Sequence, residues 1–251
     1  MLKPTTSLQI LEHQSCLLES EFGILCWNIH KENLKNSFST MLHQLLHHYP
    51  SDLLLLQEVK TPLHRPFKIA GYSFAFSANM QTRKFLYGVM TIGSTSFEDI
   101  TPLLTQKREA AGIATHKSLL ITTHRLPDFR QLLVVNVHAI NFVPLETFLH
   151  ELNRLKNRLE KYEGPMILAG DFNNWSKKRR GFIEGLCASL SLKQAIMRND
   201  HHVKKINFQQ LDHIFYRELG LVEATAIDTG KFSDHNPIYA RFTMGISADT
   251  L

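Results

Sequence analysis

Oxygen and imidazole side chains recur in six short clusters: Trp27-Asn28-Ile29, Leu56-Gln57-Glu58-Val59, Asn136-Val137-His138, Gly170-Asp171-Phe172-Asn173, Leu211-Asp212-His213-Ile214 and Ser233-Asp234-His235-Asn236-Pro237. Carboxylates and carboxamides are hard donors that suit Mg²⁺ or Mn²⁺ rather than zinc. An imidazole next to a carboxylate, as in Asp234-His235, can hold or move a proton near neutral pH. Together these side chains could hold such a cation beside proton-transfer groups, as metal-assisted hydrolysis requires.

Such chemistry needs the clusters in one place, and their positions along the chain say how that is achieved. Asn28 falls within an apolar run at 22–29, Glu58 follows Leu53, Leu54, Leu55 and Leu56, His138 follows 132–137, and Asp171 follows 166–169. Asp212 and His213 open a strand candidate near 211–215, and Asp234 and His235 stand just before another at 238–242. Further strands are expected at 72–76, 86–92, 119–123 and 222–227, segments rich in β-branched and aromatic residues. Helical spacing of Phe38, Met41, Leu42 and Leu45 marks one helix. Pro144 opens a second, whose stripe of Phe148, Leu152, Leu155 and Leu159 stops at Gly164-Pro165. A third is expected around 182–190. A lone Asp or Asn at a strand tip is ordinarily a turn-former. So many polar groups at strand ends point to a single rim on a rigid scaffold.

In this order the motifs closely resemble the endonuclease/exonuclease/phosphatase superfamily, which includes pancreatic-type deoxyribonucleases, abasic-site endonucleases, bacterial sphingomyelinases and inositol polyphosphate phosphatases. The resemblance spans residues 22–243, leaving 1–21 as an N-terminal extension and 244–251 as a tail. It implies an α/β fold, a four-layered sandwich of two mixed β-sheets packed face to face with helices outside. It also implies a Mg²⁺ or Mn²⁺ cofactor with Glu58 as principal ligand, supported by Asn28 and Asp234. Asp171 would orient or deprotonate the attacking water, and the Asn173 amide would stabilise the transition state. His235, paired with Asp234, would activate or contact the water or phosphate. His138 would protonate the leaving group, and Asp212 would orient one of these groups or complete a second metal site.

Some features depart from the pattern. Deoxyribonucleases of the pancreatic type pair the His138 equivalent with a Glu on an intervening strand, yet no Asp or Glu occurs from Val59 to Phe97. Either Glu98, Asp99 or Glu109 fills that role, or a backbone carbonyl holds His138 as a cationic phosphate ligand. His43-Gln44-Leu45-Leu46-His47 mimics a zinc-protease helix but lacks the catalytic Glu, so a solvated helix face is expected. Lys177-Lys178-Arg179-Arg180 begins four residues after Asn173. It reads either as an ordinary charged surface or, with Lys107 and Arg108, as a phosphate clamp on a polyanion. Trp175 is expected to pack this loop down.

The 251 residues can fill one compact domain, and their net charge of +5 tilts the choice toward anionic partners. Neither a secretory signal nor a membrane-spanning run is apparent. Three cysteines without a CxxC pair suit a reducing cytoplasm. The reading is a phosphodiester hydrolase with nucleic acid, DNA or RNA, as substrate. The alternatives are a phospholipid or small-molecule phosphoesterase and a catalytically silent binding module.

Overall fold

Period-two alternation of buried residues sets the layers. The computed structural model describes residues 9–10, 15–109, 115–230 and 232–244. Its strands are β1 (Gln9–Ile10), β2 (Glu21–Asn28), β3 (Leu53–Pro62), β4 (Ser73–Gln81), β5 (Phe85–Gly93), β6 (Ile100–Leu104), β7 (Ser118–Arg125), β8 (Gln131–His138), β9 (Met166–Asp171), β10 (Lys193–Gln194), β11 (Lys205–Ile206), β12 (Gln209–Gln210), β13 (Asp212–Arg217), β14 (Leu219–Ala226) and β15 (Ile238–Met244). The helices are α1 (Asn36–His48), α2 (Leu145–Leu159) and α3 (Lys177–Ser189).

Seven strands form one sheet in the order β1-β4-β5-β3-β2-β15-β14, and six form a second in the order β10-β13-β9-β8-β7-β6. Ile24, Cys26, Leu53 and Leu55 of the first sheet share a core with Leu132, Val134, Ile167 and Ala169 of the second. The alternate residues Leu25, Trp27, Leu54 and Leu56 pack outward with Phe38, Leu42 and Leu45 of α1. Val135, Val137 and Leu168 pack outward with α2 and α3 through Phe148, Leu152 and Ile183. The result is the expected α/β/β/α sandwich. Among the described residues, β2/β3 and β8/β9 are the strand pairs of the two sheets that run parallel, and each pair is joined by a helical crossover, α1 or α2, as parallel pairing demands.

The structure adds elements that the sequence reading lacked. β6 carries Pro102 and lies at a sheet edge, where a missing N–H is tolerated. The third helix begins at Lys177, with the Ser176 hydroxyl accepting from the Arg179 N–H. The basic run is therefore the first turn of α3 and not a loop.

Candidate active site

The alternation that builds the inner core continues to one end of the sandwich, where the inward positions turn polar. Asp212 lies opposite Asp171 across β13 and β9, and Asp171 opposite His138 across β9 and β8. Three catalytic candidates thus form one row across adjacent strands. The close approach of β9 to β8 depends on Gly170, whose φ is +146° and whose added Cβ would fall 1.9 Å from the Val137 carbonyl oxygen. From the facing sheet, Asn28 donates from Nδ2 to Asp171 Oδ2 at 3.1 Å. Gln57 joins the sheets by donating to Asn136 Oδ1 at 2.8 Å, and Asn136 donates to the carbonyls of Leu56 and Met90.

Strict alternation would turn Glu58 outward. A register shift between Leu56 and Val59, with Glu58 at φ +53°, returns Val59 to the α1-side core and frees Glu58 to reach the site. Glu58 Oε1 lies 3.9 Å from His138 Nε2, and Oε2 accepts from Lys31 Nζ. Burial would raise the Glu58 carboxyl, but the Lys31 and Lys117 ammonium groups outweigh it and hold it below the usual carboxylate range.

His235 donates from Nδ1 to Asp212 Oδ2 at 2.7 Å, and its Nε2 lies 4.0 Å from Asp171 Oδ2. Burial disfavours its charge, but Asp212, then Asp171 and Asp234, reverse that and raise it to about 9. Burial and the neighbouring Asp212 carboxylate raise Asp171 above the ordinary carboxylate range. The segment bearing His235 is anchored on β2, since Trp27 Nε1 donates to the His235 carbonyl at 2.8 Å and the Ser233 hydroxyl to the Asn28 carbonyl at 2.8 Å.

His138 meets Lys117 and no intervening-strand carboxylate, with Nζ 2.9 Å from Nε2. Burial and the Lys117 charge push His138 well below its usual range, so its imidazole is neutral and Lys117 carries the positive charge. Glu109 lies 3.6 Å from Lys117 and so reaches His138 only through it. Glu98 pairs with Arg125 and Gln131 instead. Lys117 belongs to none of the motifs and was not foreseen from the sequence. Asn141 was likewise missed: its Nδ2 donates to Asn173 Oδ1 at 2.7 Å, and Asn173 Nδ2 donates to the Ala139 carbonyl at 3.0 Å. The Asn173 amide thereby ties two loops together, while its backbone N–H donates to Asp171 Oδ1 at 3.0 Å.

Other expected residues sit apart. Asp234 is half-exposed at the rim, 3.5 Å from Lys204 Nζ and 3.9 Å from His30 Nδ1, and lies outside the buried row. Arg108 is exposed and donates to His116 Nε2 at 3.1 Å. Lys177, Lys178 and Arg180 are exposed on α3, but Arg179 is only 2 % exposed. Its guanidinium donates to the carbonyls of Val143 at 2.8 Å and Asn173 at 3.1 Å, between the rings of Phe148 and Trp175. That side chain is a brace for the catalytic loops and is not open to a phosphate. Trp175 packs the loop as expected, its Nε1 donating to Asn141 Oδ1 at 2.9 Å. The histidines of α1 face solvent, His43 and His48 bonding to carbonyls of their own helix.

Among the described residues, no three His, Cys, Asp or Glu side chains close on one point as a preformed metal cage. The oxygen donors nevertheless fit a small hard cation that keeps much of its water. Glu58 is ionised, Asn28 supplies an amide, and Asp212 Oδ1 is buried without a hydrogen-bond partner.

Known proteins resemble this chain in sequence or in fold. A UPF0294 protein of Vibrio cholerae is 34% identical over 231 residues, covering 90% of this chain and 79% of its own. The structure of D. rerio TDP2 complexed with a single-strand DNA product superposes with a TM-score of 0.66 at 17% identity, covering 90% of this chain and all of that one. The human Nocturnin catalytic domain with bound sulfate gives 0.63 at 18% identity, over 95% and 97% of the two chains. Residues 25–235, which contain the whole buried row and Glu58, match the model of the endonuclease/exonuclease/phosphatase family, and the chain belongs to that family.

Proposed function

We propose that this chain is a Mg²⁺- or Mn²⁺-dependent phosphodiesterase that cuts nucleic acid. The observation that carries the reading is the row Asp212, Asp171, His138 facing Glu58 and Asn28, with His235 bound to Asp212. Glu58 and Asn28 would hold the cation, which when bound neutralises phosphate oxygens and offsets charge on the leaving oxygen. Asp171 takes the proton of the attacking water, and its raised proton affinity suits a base. Asp212 fixes the ring of His235, which stays cationic and binds the phosphate. The Lys117 ammonium gives the proton to the leaving oxygen, and the neutral His138 imidazole, whose Nε2 it touches, holds that ammonium in place.

Nucleic acid is favoured over a small ester because Lys177, Lys178 and Arg180 project from the turn that follows the catalytic Asn173 loop. The single-strand DNA product in the TDP2 structure supports the same choice. Three unpaired cysteines suit the reducing cytoplasm, and among the described residues no helix is long and apolar enough to cross a membrane.

The test is a panel of plasmid DNA, single-stranded DNA, RNA, sphingomyelin and a chromogenic diester, assayed with Mg²⁺ or Mn²⁺. Chelation should abolish cleavage, and Glu58→Ala, Asp171→Asn or His235→Ala should each lower turnover about a hundredfold or more. Full turnover of Glu58→Ala in excess chelator would refute the metal mechanism, and cleavage of sphingomyelin alone would refute the nucleic-acid assignment.

A further inference from the structure

β11 and β12 form a hairpin in which Lys205 pairs with Gln210 and Ile206 with Gln209. Asn207 and Phe208 alone make its turn, with φ of +50° and +63°. Two positive-φ residues define the type I′ turn, which favours Asn first and Gly second. Asn207 obeys the rule and Phe208 breaks it, because a bulky aromatic at positive φ is strained. No packing compensates, since Phe208 is 96% exposed. A strained residue that contributes nothing to the core is a reason to look for a ligand.

The surroundings indicate which one. The hairpin leads through Gln210 and Leu211 directly into Asp212. Beside it lies a cleft of about 240 Å³ whose lining includes Asn174, Arg180, Asp200, Lys205, Phe208 and Gln209. Arg180 spans from α3 to the hairpin, its Nη1 donating to Gln209 Oε1 at 3.3 Å. Lys205 Nζ lies 3.4 Å from Asp200 and Arg180 Nε 2.7 Å from Glu184, so a phosphate would take these cations over from exposed carboxylates. The neutral amides, the two cations and the free ring suit a heterocycle joined to a phosphate better than they suit a bilayer. The immediate neighbours of Phe208 are Asn207 and Gln209, and Ile206 is the other apolar residue of the hairpin.

We propose that Phe208 is a stacking platform for an unpaired nucleobase of the substrate, with Arg180 and Lys205 holding the adjoining phosphate. The proposal rests on the nucleic-acid reading above and narrows it to single-stranded or frayed ends, because a base must leave its own stack to lie on a protein ring.

Phe208→Gly tests it, because glycine relieves the turn while removing the ring. The unfolding midpoint should rise. Affinity for a short single-stranded phosphorothioate oligonucleotide should fall about tenfold to a hundredfold, and Phe208→Trp should restore it. Wild-type affinity in Phe208→Gly would overturn the platform while leaving the nuclease reading intact. Loss of binding to phosphatidylcholine vesicles with oligonucleotide affinity kept would overturn it in favour of a membrane-inserting hairpin. A wild-type protein that neither binds nor cleaves any oligonucleotide would overturn both.

Discussion

Replacing Arg179 by alanine is expected to loosen the catalytic end of the fold without changing affinity for a polyanion. The guanidinium bonds the Val143 carbonyl at 2.8 Å and the Asn173 carbonyl at 3.1 Å, and lies 4.6 Å from the Phe148 ring centroid and 4.7 Å from that of Trp175. Orphaning two buried acceptors costs about 1–3 kcal/mol each, and two cation–π contacts add roughly 0.5–1 kcal/mol apiece. Water entering the space left by the side chain offsets part of this, so a loss of about 4 kcal/mol is expected. At about 2–4 °C per kcal/mol for a chain of this size, the unfolding midpoint should drop by roughly 8–16 °C. Turnover of a small chromogenic diester should also fall, because the same contacts hold the Asn173 loop. The salt dependence of oligonucleotide binding should keep its slope. The triple variant Lys177→Ala, Lys178→Ala, Arg180→Ala should show the reverse, an unmoved midpoint and a slope flattened by about 0.7–0.9 per lost phosphate contact. An Arg179→Ala protein that melts with the wild type and shares the flattened slope would refute the bracing role.

Three further outcomes follow from the interior. His124 is fully buried and held at about 3 by burial. An unfolded histidine takes a proton near 6.5, so the unfolded state binds more protons between these values and stability falls as pH falls. Urea unfolding at pH 7.5 and pH 5 should show about 2 kcal/mol lost through this group. His124→Leu should remove that loss, and an equal acid loss in the variant would contradict it. Gly170→Ala should destabilise by about 3 kcal/mol or more, or prevent folding, because its Cβ would sit 1.9 Å from the Val137 carbonyl oxygen; a wild-type melting point would show that β9 can move aside. Lys117→Met should slow cleavage of an ordinary diester about tenfold or more, but slow a nitrophenyl ester less, because a good leaving group needs no proton. Equal losses on both substrates would make Lys117 a phosphate ligand only.

The strands and the gathering of candidate catalytic side chains at one rim were legible in the strong apolar runs, whereas the layer order came only with the family resemblance that the motifs carry. Asn28, His138 and Asp171 share parity with Ile24 or Cys26, Val134 and Ala169, so their inward aim was implicit in the strands. Glu58 was recognisable only as a motif, since its parity is wrong and the bulge that corrects it leaves no mark in the sequence. Lys117 could not be found because its approach to His138 depends on the register of β7 on β8, in which Leu119 faces Val137. The case of Arg179 is different. Arg179, Ile183 and Leu186 recur at spacings of four and three, so helical periodicity would have turned Arg179 inward had the helix been started one turn earlier. The hairpin of 205–210 escaped because it has neither apolar alternation nor a glycine in its turn.

The two kinds of residue lie on two kinds of element, and this bears on how substrate choice can vary. The candidate catalytic groups stand at the ends of β2, β8, β9 and β13, at the bulge within β3 and on the segment pinned to β2, where inter-strand register and the Gln57–Asn136 bridge over-determine each side chain. Moving any one would disturb the core below it. Lys177, Lys178, Arg180 and Phe208 stand instead on an exposed helical turn and a two-residue hairpin loop, where substitutions leave the sandwich untouched. Selection can therefore alter what is bound without altering how it is cut. On this scaffold the rim can change without the row, so substitutions at Lys177, Lys178, Arg180 and Phe208 are expected to alter which phosphoester is bound, and substitutions in the row to alter how fast it is cut.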